Sequence, residues 1–188
     1  MNDNGDAFVI EKTNQCALVG IIDGLGHGQF AHRAAQAARH YVEGHIEEPL
    51  PAIFRGTGRA CRGTRGVVMA LARFDWELDP ASSKIATRVS VASVGNIETR
   101  VFGSLRPMHF EIRRGIVGVN AREPLVTEHQ WEPNFIMVMH SDGMGSHWRW
   151  HDFPEISEAP AGVIAQRLLN RLAKDNDDAT VVVVKSEE

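Results

Sequence analysis

Two short apolar runs, Ala7 to Glu11 and Cys16 to Ile22, flank the polar stretch Lys12-Thr13-Asn14-Gln15, the pattern of a β-hairpin. The second run stops at Asp23. Beyond Asp23-Gly24-Leu25-Gly26-His27-Gly28, residues Phe30, Ala34, Ala37, Ala38, Tyr41, Val42, His45 and Ile46 recur at three-and-four spacing, which predicts an amphipathic, alanine-rich helix. A weaker helix is predicted over Pro51 to Cys61, interrupted by Gly56 and Gly58, before a turn at Gly63-Thr64-Arg65-Gly66. Strands then dominate: Val67 to Trp76, Lys84 to Val94, Glu98 to Phe102, His109 to Ile112, Leu125 to His129 and Phe135 to His140 are β-favouring runs between turn residues. Pro160 to Ala173 reads as a helix with proline in its first turn, and Ala179 to Lys185 as a buried strand.

Consecutive strands with short connections favour antiparallel pairing, and the separated helices can cover opposite faces of stacked sheets. The expected fold is an α+β sandwich. A doubly wound parallel fold needs helices between most strands, and residues 66–140 offer none. No internal repeat or Gly/Ser/Pro-rich linker divides the chain, so residues 1–188 are expected to form one domain. With 43% hydrophobic and 23% charged residues the chain is too apolar for disorder. Chains of roughly 150 residues already bury about two thirds of their unfolded surface, so no metal is needed merely to fold. Cys16 and Cys61 form no CxxC pair and read as packing residues. A net charge of −4 supplies no broad positive field for nucleic acid. The polar, acidic opening lacks a secretory signal and no run approaches the about 18 apolar residues of a membrane span, so a cytoplasmic protein is expected.

The most informative feature is a carboxylate placed repeatedly where a strand begins or stops, beside glycine in three of four places. These places are Gly5-Asp6, Asp23-Gly24, Ser141-Asp142-Gly143 and Asp177-Asp178. Each alone reads as an ordinary turn. Together, and delivered from apolar strands without Lys or Arg in the same loops, they need compensating charge. Carboxylates and glycine carbonyls converging from loops suit hard cations such as Mg²⁺ or Mn²⁺.

In order and context these four motifs resemble those of the PPM-type metal-dependent serine/threonine phosphatases, in the short bacterial SpoIIE-like branch. The matching stretches are Gly5-Asp6-Ala7-Phe8, Asp23-Gly24-Leu25-Gly26-His27-Gly28, Ser141-Asp142-Gly143-Met144-Gly145 and Asp177-Asp178-Ala179-Thr180-Val181-Val182, which bracket nearly the whole chain. Thr64-Arg65-Gly66, Val94-Gly95-Asn96-Ile97-Glu98 and Gly115-Ile116-Val117-Gly118 are similar to the RsbX-like subgroup, which acts on stressosome components. The resemblance implies a four-layer α-β-β-α sandwich with two Mn²⁺ or Mg²⁺ ions in a cleft at one end. It implies that Asp23 bridges both metals, that Asp142 and Asp177 bind the first, and that the Gly24 carbonyl and Asp6 serve the second. Asp23, Asp142 and Asp177 thereby become the expected catalytic residues, hydrolysing phosphoserine or phosphothreonine by attack of a metal-bridging hydroxide. Phosphorylated stressosome STAS-domain proteins are the implied partners, and a monomer is the default. Leu25 stands where many larger members carry a histidine that protonates the leaving alkoxide. His27 is the substitute candidate for a general acid, with capping or packing of the following helix as its plainer role.

Rival readings of the same residues are a catalytically silent phosphoprotein-binding module and a nucleotide-binding protein like the anti-sigma kinases. Gly26-His27-Gly28-Gln29-Phe30-Ala31 also fits a GxGxxA dinucleotide fingerprint, although Asp23 sits where the pyrophosphate would approach. Arg55, Arg59, Arg62 and Arg65 form a run without acids between Pro49 and Phe74. It reads as a solvated helix face, or as a docking stripe for an acidic or phosphorylated partner. His147 and His151 are spaced as ligands on one helical face, but the intervening Trp148 and Trp150 point to packing or a partner surface.

Overall fold

The computed structural model describes residues 4–78, 85–154 and 156–186. Strand β1 (Asp6–Lys12) pairs antiparallel with β2 (Cys16–Gly24), as the hairpin pattern predicts. Thr13 closes the turn: its Oγ1 accepts from the backbone N–H groups of Gln15 and Cys16 at 3.2 and 3.1 Å. Helix α1 (Gln29–Glu43) and helix α2 (Leu50–Ala60) follow, then β3 (Val67–Leu78) and β4 (Ile85–Val94), each antiparallel to the strand before it in the sheet. The remaining elements are β5 (Glu98–Phe102), β6 (Ile112–Arg113), β7 (Val126–Trp131), β8 (Ile136–His140), α3 (Ala161–Leu172) and β9 (Val181–Lys185). One sheet runs β1-β2-β3-β4-β6, with β7 also on β4; the other runs β5-β8-β9.

Alternation along the strands builds three cores and so fixes the layers. Leu18, Ile22, Val67, Met69, Leu71 and Val94 face α1 and α2, where Ala34, Ala38, Ile53 and Phe54 meet them. The intervening residues Val19, Ile21, Val68, Ala70 and Val91 point the other way, onto Met137, Met139 and Val182 of the second sheet. That sheet turns Ile136, Val138, Val181 and Val183 outward onto Ile164 and Leu168 of α3. The result is the α-β-β-α sandwich. Slipping β2 by one residue would exchange its two faces and turn Asp23 from the side of Val19 and Ile21 to the side of Leu18 and Ile22.

Three expectations change. The run His109 to Ile112 supplies only the two-residue β6, and it pairs parallel to β4. The edge of β4 is already occupied by β7 along residues 87–92, which leaves Ser93 and Val94 free to pair. Side chains of β7 hold the preceding segment instead: Thr127 Oγ1 accepts from Glu111 N–H at 3.1 Å, and His129 packs edge-on against Phe110. Helix α2 is interrupted at neither Gly56 nor Gly58, since its buried face of Leu50, Ile53, Phe54 and Thr57 packs on the core, and at Gly56 the Tyr41 ring takes the space where a Cβ would stand. Helix α1 ends at Glu43, so Ile46 packs on the core from the turn beyond it. The predicted start of β4 at Lys84 lies outside the described residues. Both cysteines are free and buried, as a packing role requires.

Candidate metal centre

Because the central strands are antiparallel and their connections short, the strand ends that carry acids gather at one end of the sandwich. The β1–β2 register sets Asp6 directly opposite Asp23. A cleft of about 370 Å³ opens there, lined by Asp23, Asp142 and Asp177 together with Leu25, Asn96 and Arg114. Three separate segments of chain thus contribute one carboxylate each to a single opening.

Asp6 lies beneath the cleft and is buried. The Ser141 hydroxyl donates to its Oδ2 at 2.7 Å and accepts from the Thr180 N–H at 3.0 Å, joining β1, the loop after β8 and the approach to β9. Burial pushes the Asp6 carboxyl up; hydrogen bonding from Ser141 and Thr180 offsets only part of this, and nearby Asp178 and Asp142 add repulsion, leaving it at about 6. Asp23 is pushed up to about 8, first by burial and then by repulsion from Asp6, Asp142, Asp177 and Asp178. Of the adjacent pair, Asp177 lines the cleft, whereas Asp178 Oδ2 accepts the Gly5 N–H at 2.7 Å and ties the loop to the start of β1. Asp142 Oδ2 accepts from Asn96 Nδ2 at 2.8 Å.

The glycines beside these acids are needed for close approach. A Cβ on Gly24 would stand 2.0 Å from the Ala31 carbonyl oxygen of α1, and one on Gly143 would stand 1.9 Å from the Asp178 carbonyl oxygen. Each side chain would push apart segments that hold the acids together.

Sequence reasoning left out three polar groups at this end. Asn96 fixes Asp142. Lys174, just beyond α3, donates from Nζ to the Asp142 carbonyl at 2.6 Å and from its backbone N–H to Gly143 O at 2.9 Å, clamping the acidic loop. Arg114 brings positive charge to the cleft wall. Asn96 stood in a stretch matched to the RsbX-like subgroup; Lys174 lies three residues before Asp177 in the loop after α3, so that loop does hold a cation, contrary to expectation, and Arg114 adjoins no acidic motif.

His27 is exposed and does not line the cleft. It does not cap α1 either, since Gly28 holds the N-cap position and no side chain bonds there. The apolar Leu25 faces the opening instead. His147 and His151 are also exposed, on an irregular segment with one 3-10 turn, while Trp148 is buried and Trp150 stacks on Phe102 with ring centres 4.4 Å apart. The dinucleotide fingerprint lacks its βαβ unit, because both neighbours of β2 are antiparallel.

The donor set is all oxygen, and among the described residues none of the five carboxylates has an ion-pair partner. Such a set fits a hard divalent cation. Among the described residues no group of three His, Cys, Asp or Glu is arranged to hold a metal by itself, so backbone carbonyls and water would have to complete any coordination.

No protein-family model matches the chain, and no curated protein matches it in sequence. Solved structures do. A chain of the structure described as "The bacterial stressosome: a modular system that has been adapted to control secondary messenger signaling" superimposes with a TM-score of 0.84 at 26% identity, over 96% of this chain and 90% of that one. RsbX in complex with magnesium superimposes with a TM-score of 0.80 at 18% identity, over 97% and 90%. The PP2C phosphatase domain of the cell-fate determinant SpoIIE from Bacillus subtilis, solved with a fragment of its regulatory domain, gives 0.73 at 18%, over 97% and 58%. The chain has the PP2C-type phosphatase fold. Within that fold the acidic end of the sandwich is the candidate metal centre, and no helix among the described residues is long and apolar enough to cross a membrane.

Proposed function

We propose that this chain is a metal-dependent protein serine/threonine phosphatase acting on phosphorylated STAS-domain proteins of a bacterial stressosome. The observation that carries the reading is the meeting of Asp23, Asp142 and Asp177, from three distant segments, in one cleft above the buried Asp6. Asp23 would bridge two Mn²⁺ or Mg²⁺ ions, Asp142 and Asp177 would hold the first, and the Gly24 carbonyl and Asp6 would serve the second. When bound, the ions supply Lewis-acid activation of water and of the phosphoryl group for in-line displacement. The chain's own residues prepare that site. Ser141 orients Asp6, Asn96 orients Asp142, and Lys174 holds the loop between them. Arg114 adds positive charge where a phosphate dianion would enter. His27 stands away from the cleft, so the leaving alkoxide takes its proton from solvent in this reading. The likeness to the stressosome chain and to RsbX supports the choice of substrate. We read residues 1–188 as one domain, monomeric and cytoplasmic.

The test is hydrolysis of p-nitrophenyl phosphate and of a serine-phosphorylated STAS-domain protein, with Mn²⁺, with EDTA, and with Asp142→Ala. Turnover of the phosphoprotein that needs Mn²⁺ and falls on the order of 100-fold or more in the variant is expected. No turnover of either substrate with Mn²⁺ would leave a phosphoprotein-binding module in place of the enzyme.

A further inference from the structure

The arginine run of α2 faces a second wall. A groove of about 410 Å³ lies between α2 and residues 117–124, with Arg55, Arg59 and Arg62 on the helix side and Arg122 opposite. Its floor is Phe54, Gly58, Val117 and Gly118, and Val119, 61% exposed, stands at its edge. The only acid in the lining is Glu123, which pairs with Arg55 at 2.6 Å and so ties the outer wall to the helix. The side chains of Arg59, Arg62 and Arg122 are exposed and have no ion-pair or hydrogen-bond partner among the described residues. Three unpaired guanidinium groups over an apolar floor are concentrated on a chain of net charge −4. Like charges gathered without counter-charge repel one another unless an anion joins them.

The groove and the metal cleft share a segment of chain. Residues 114 and 115 line the cleft, residues 117 and 118 line the groove, and the Val117 N–H and C=O bond to Val67 at the start of β3, so one anchored segment forms a wall of each. Arg65, the fourth arginine of the run, turns toward the cleft side: its guanidinium lies over Phe30 at 5.0 Å and beside Gly26.

We propose that this groove docks an acidic segment of the protein substrate, flanking the phosphorylated residue that enters the cleft. The inference rests on the phosphatase reading and adds to it a selection for acidic sequence near the phosphosite. Arginine forks pair bidentately with carboxylates, while the exposed Val119 at the edge offers an apolar contact. A peptide is favoured over nucleic acid because the groove is short, and its one aromatic, Phe54, is buried and offers no face for base stacking.

The experiment measures anisotropy of a fluorescein-labelled ten-residue peptide of Glu and Leu on the full chain, wild type and Arg59→Glu/Arg62→Glu/Arg122→Glu. Saturable binding at 50 mM salt that weakens at 200 mM, and about tenfold or more in the variant, is expected. A second variant with glutamine at the three positions, melting like wild type, guards against misfolding. In parallel, kcat/KM for a phosphopeptide with flanking acids should fall about tenfold in the variants, with p-nitrophenyl phosphate turnover unchanged. Equal binding by wild type and both variants, absence of saturable binding, or displacement of the peptide by an equal concentration of a ten-nucleotide thymidine strand would overturn the proposal. Peptide binding without any phosphatase turnover would retain the groove and refute the catalytic reading alone.

Discussion

Replacing Asp23 by asparagine should make the metal-free protein more stable, and more so as pH rises. In the folded chain Asp23 titrates at about 8, against an ordinary value of 3.8. Above pH 4 the unfolded chain has released this proton while the folded chain retains it. The folded state therefore binds more protons, and stability falls with rising pH until the folded group ionises near 8. The asparagine of the variant carries no charge in either state and escapes that loss. At about 1.4 kcal/mol per pKa unit, the gap between variant and wild type grows by at most about 4 kcal/mol from pH 5 to 8. Water reaches the open cleft and the charged state relaxes, so about 2 kcal/mol is the working figure, or about 4–8 °C in Tm for a chain of this size. Thermal unfolding in EDTA at pH 5, 6.5 and 8 measures it. The variant-minus-wild-type difference cancels the contributions of groups that behave alike in both proteins. A difference constant to within about 1 °C from pH 5 to 8 would refute the argument that Asp23 is buried among like charges.

Ser141→Ala removes the hydroxyl that donates to buried Asp6 and accepts from Thr180, and should cost about 1–3 kcal/mol in urea unfolding at pH 7; a loss below about 0.5 would show that the link carries no load. Asn96→Ala frees Asp142 and should weaken Mn²⁺ binding, read by calorimetry, about tenfold, while an unchanged affinity would mean that the 2.8 Å bond does not orient the carboxylate. His27→Ala should leave the pH–rate profile for an alkyl phosphoester unchanged, because the imidazole is exposed and outside the cleft lining; loss of the basic limb would reinstate it as the acid.

Much of the fold was legible because periodicity reports which face of an element is buried. Among the described residues, eight of the nine strands and all three α-helices stand close to where alternation and three-and-four spacing put them. The exception, His109 to Ile112, has the composition of a strand but lost its partner to β7. Competition for an edge is not written in either segment alone. The supposed break at Gly56 and Gly58 failed for a related reason, since burial of the Leu50, Ile53 and Phe54 face against distant segments outweighs the helix propensity of two glycines. The acids of the candidate centre were visible because each sits at the end of an apolar strand, where a charge needs a partner. Asn96 and Arg114 carry no such local mark, and Lys174, three residues before Asp177, acts on the Asp142 loop and not on its own neighbour.

By itself the sequence determined the order of elements, the faces they bury and the strand ends at which carboxylates fall, since these depend on neighbours within a few residues. Only the tertiary structure decided that Asp178 turns to the Gly5 N–H, that His27 stays outside the cleft, and that Arg55, Arg59 and Arg62 line a groove instead of a bare helix face. Two of those outcomes depend on what a distant segment places opposite, Gly5 against Asp178 and residues 117–124 across from Arg59 and Arg62, while His27 is set aside because its neighbour Gly28 takes the cap of α1.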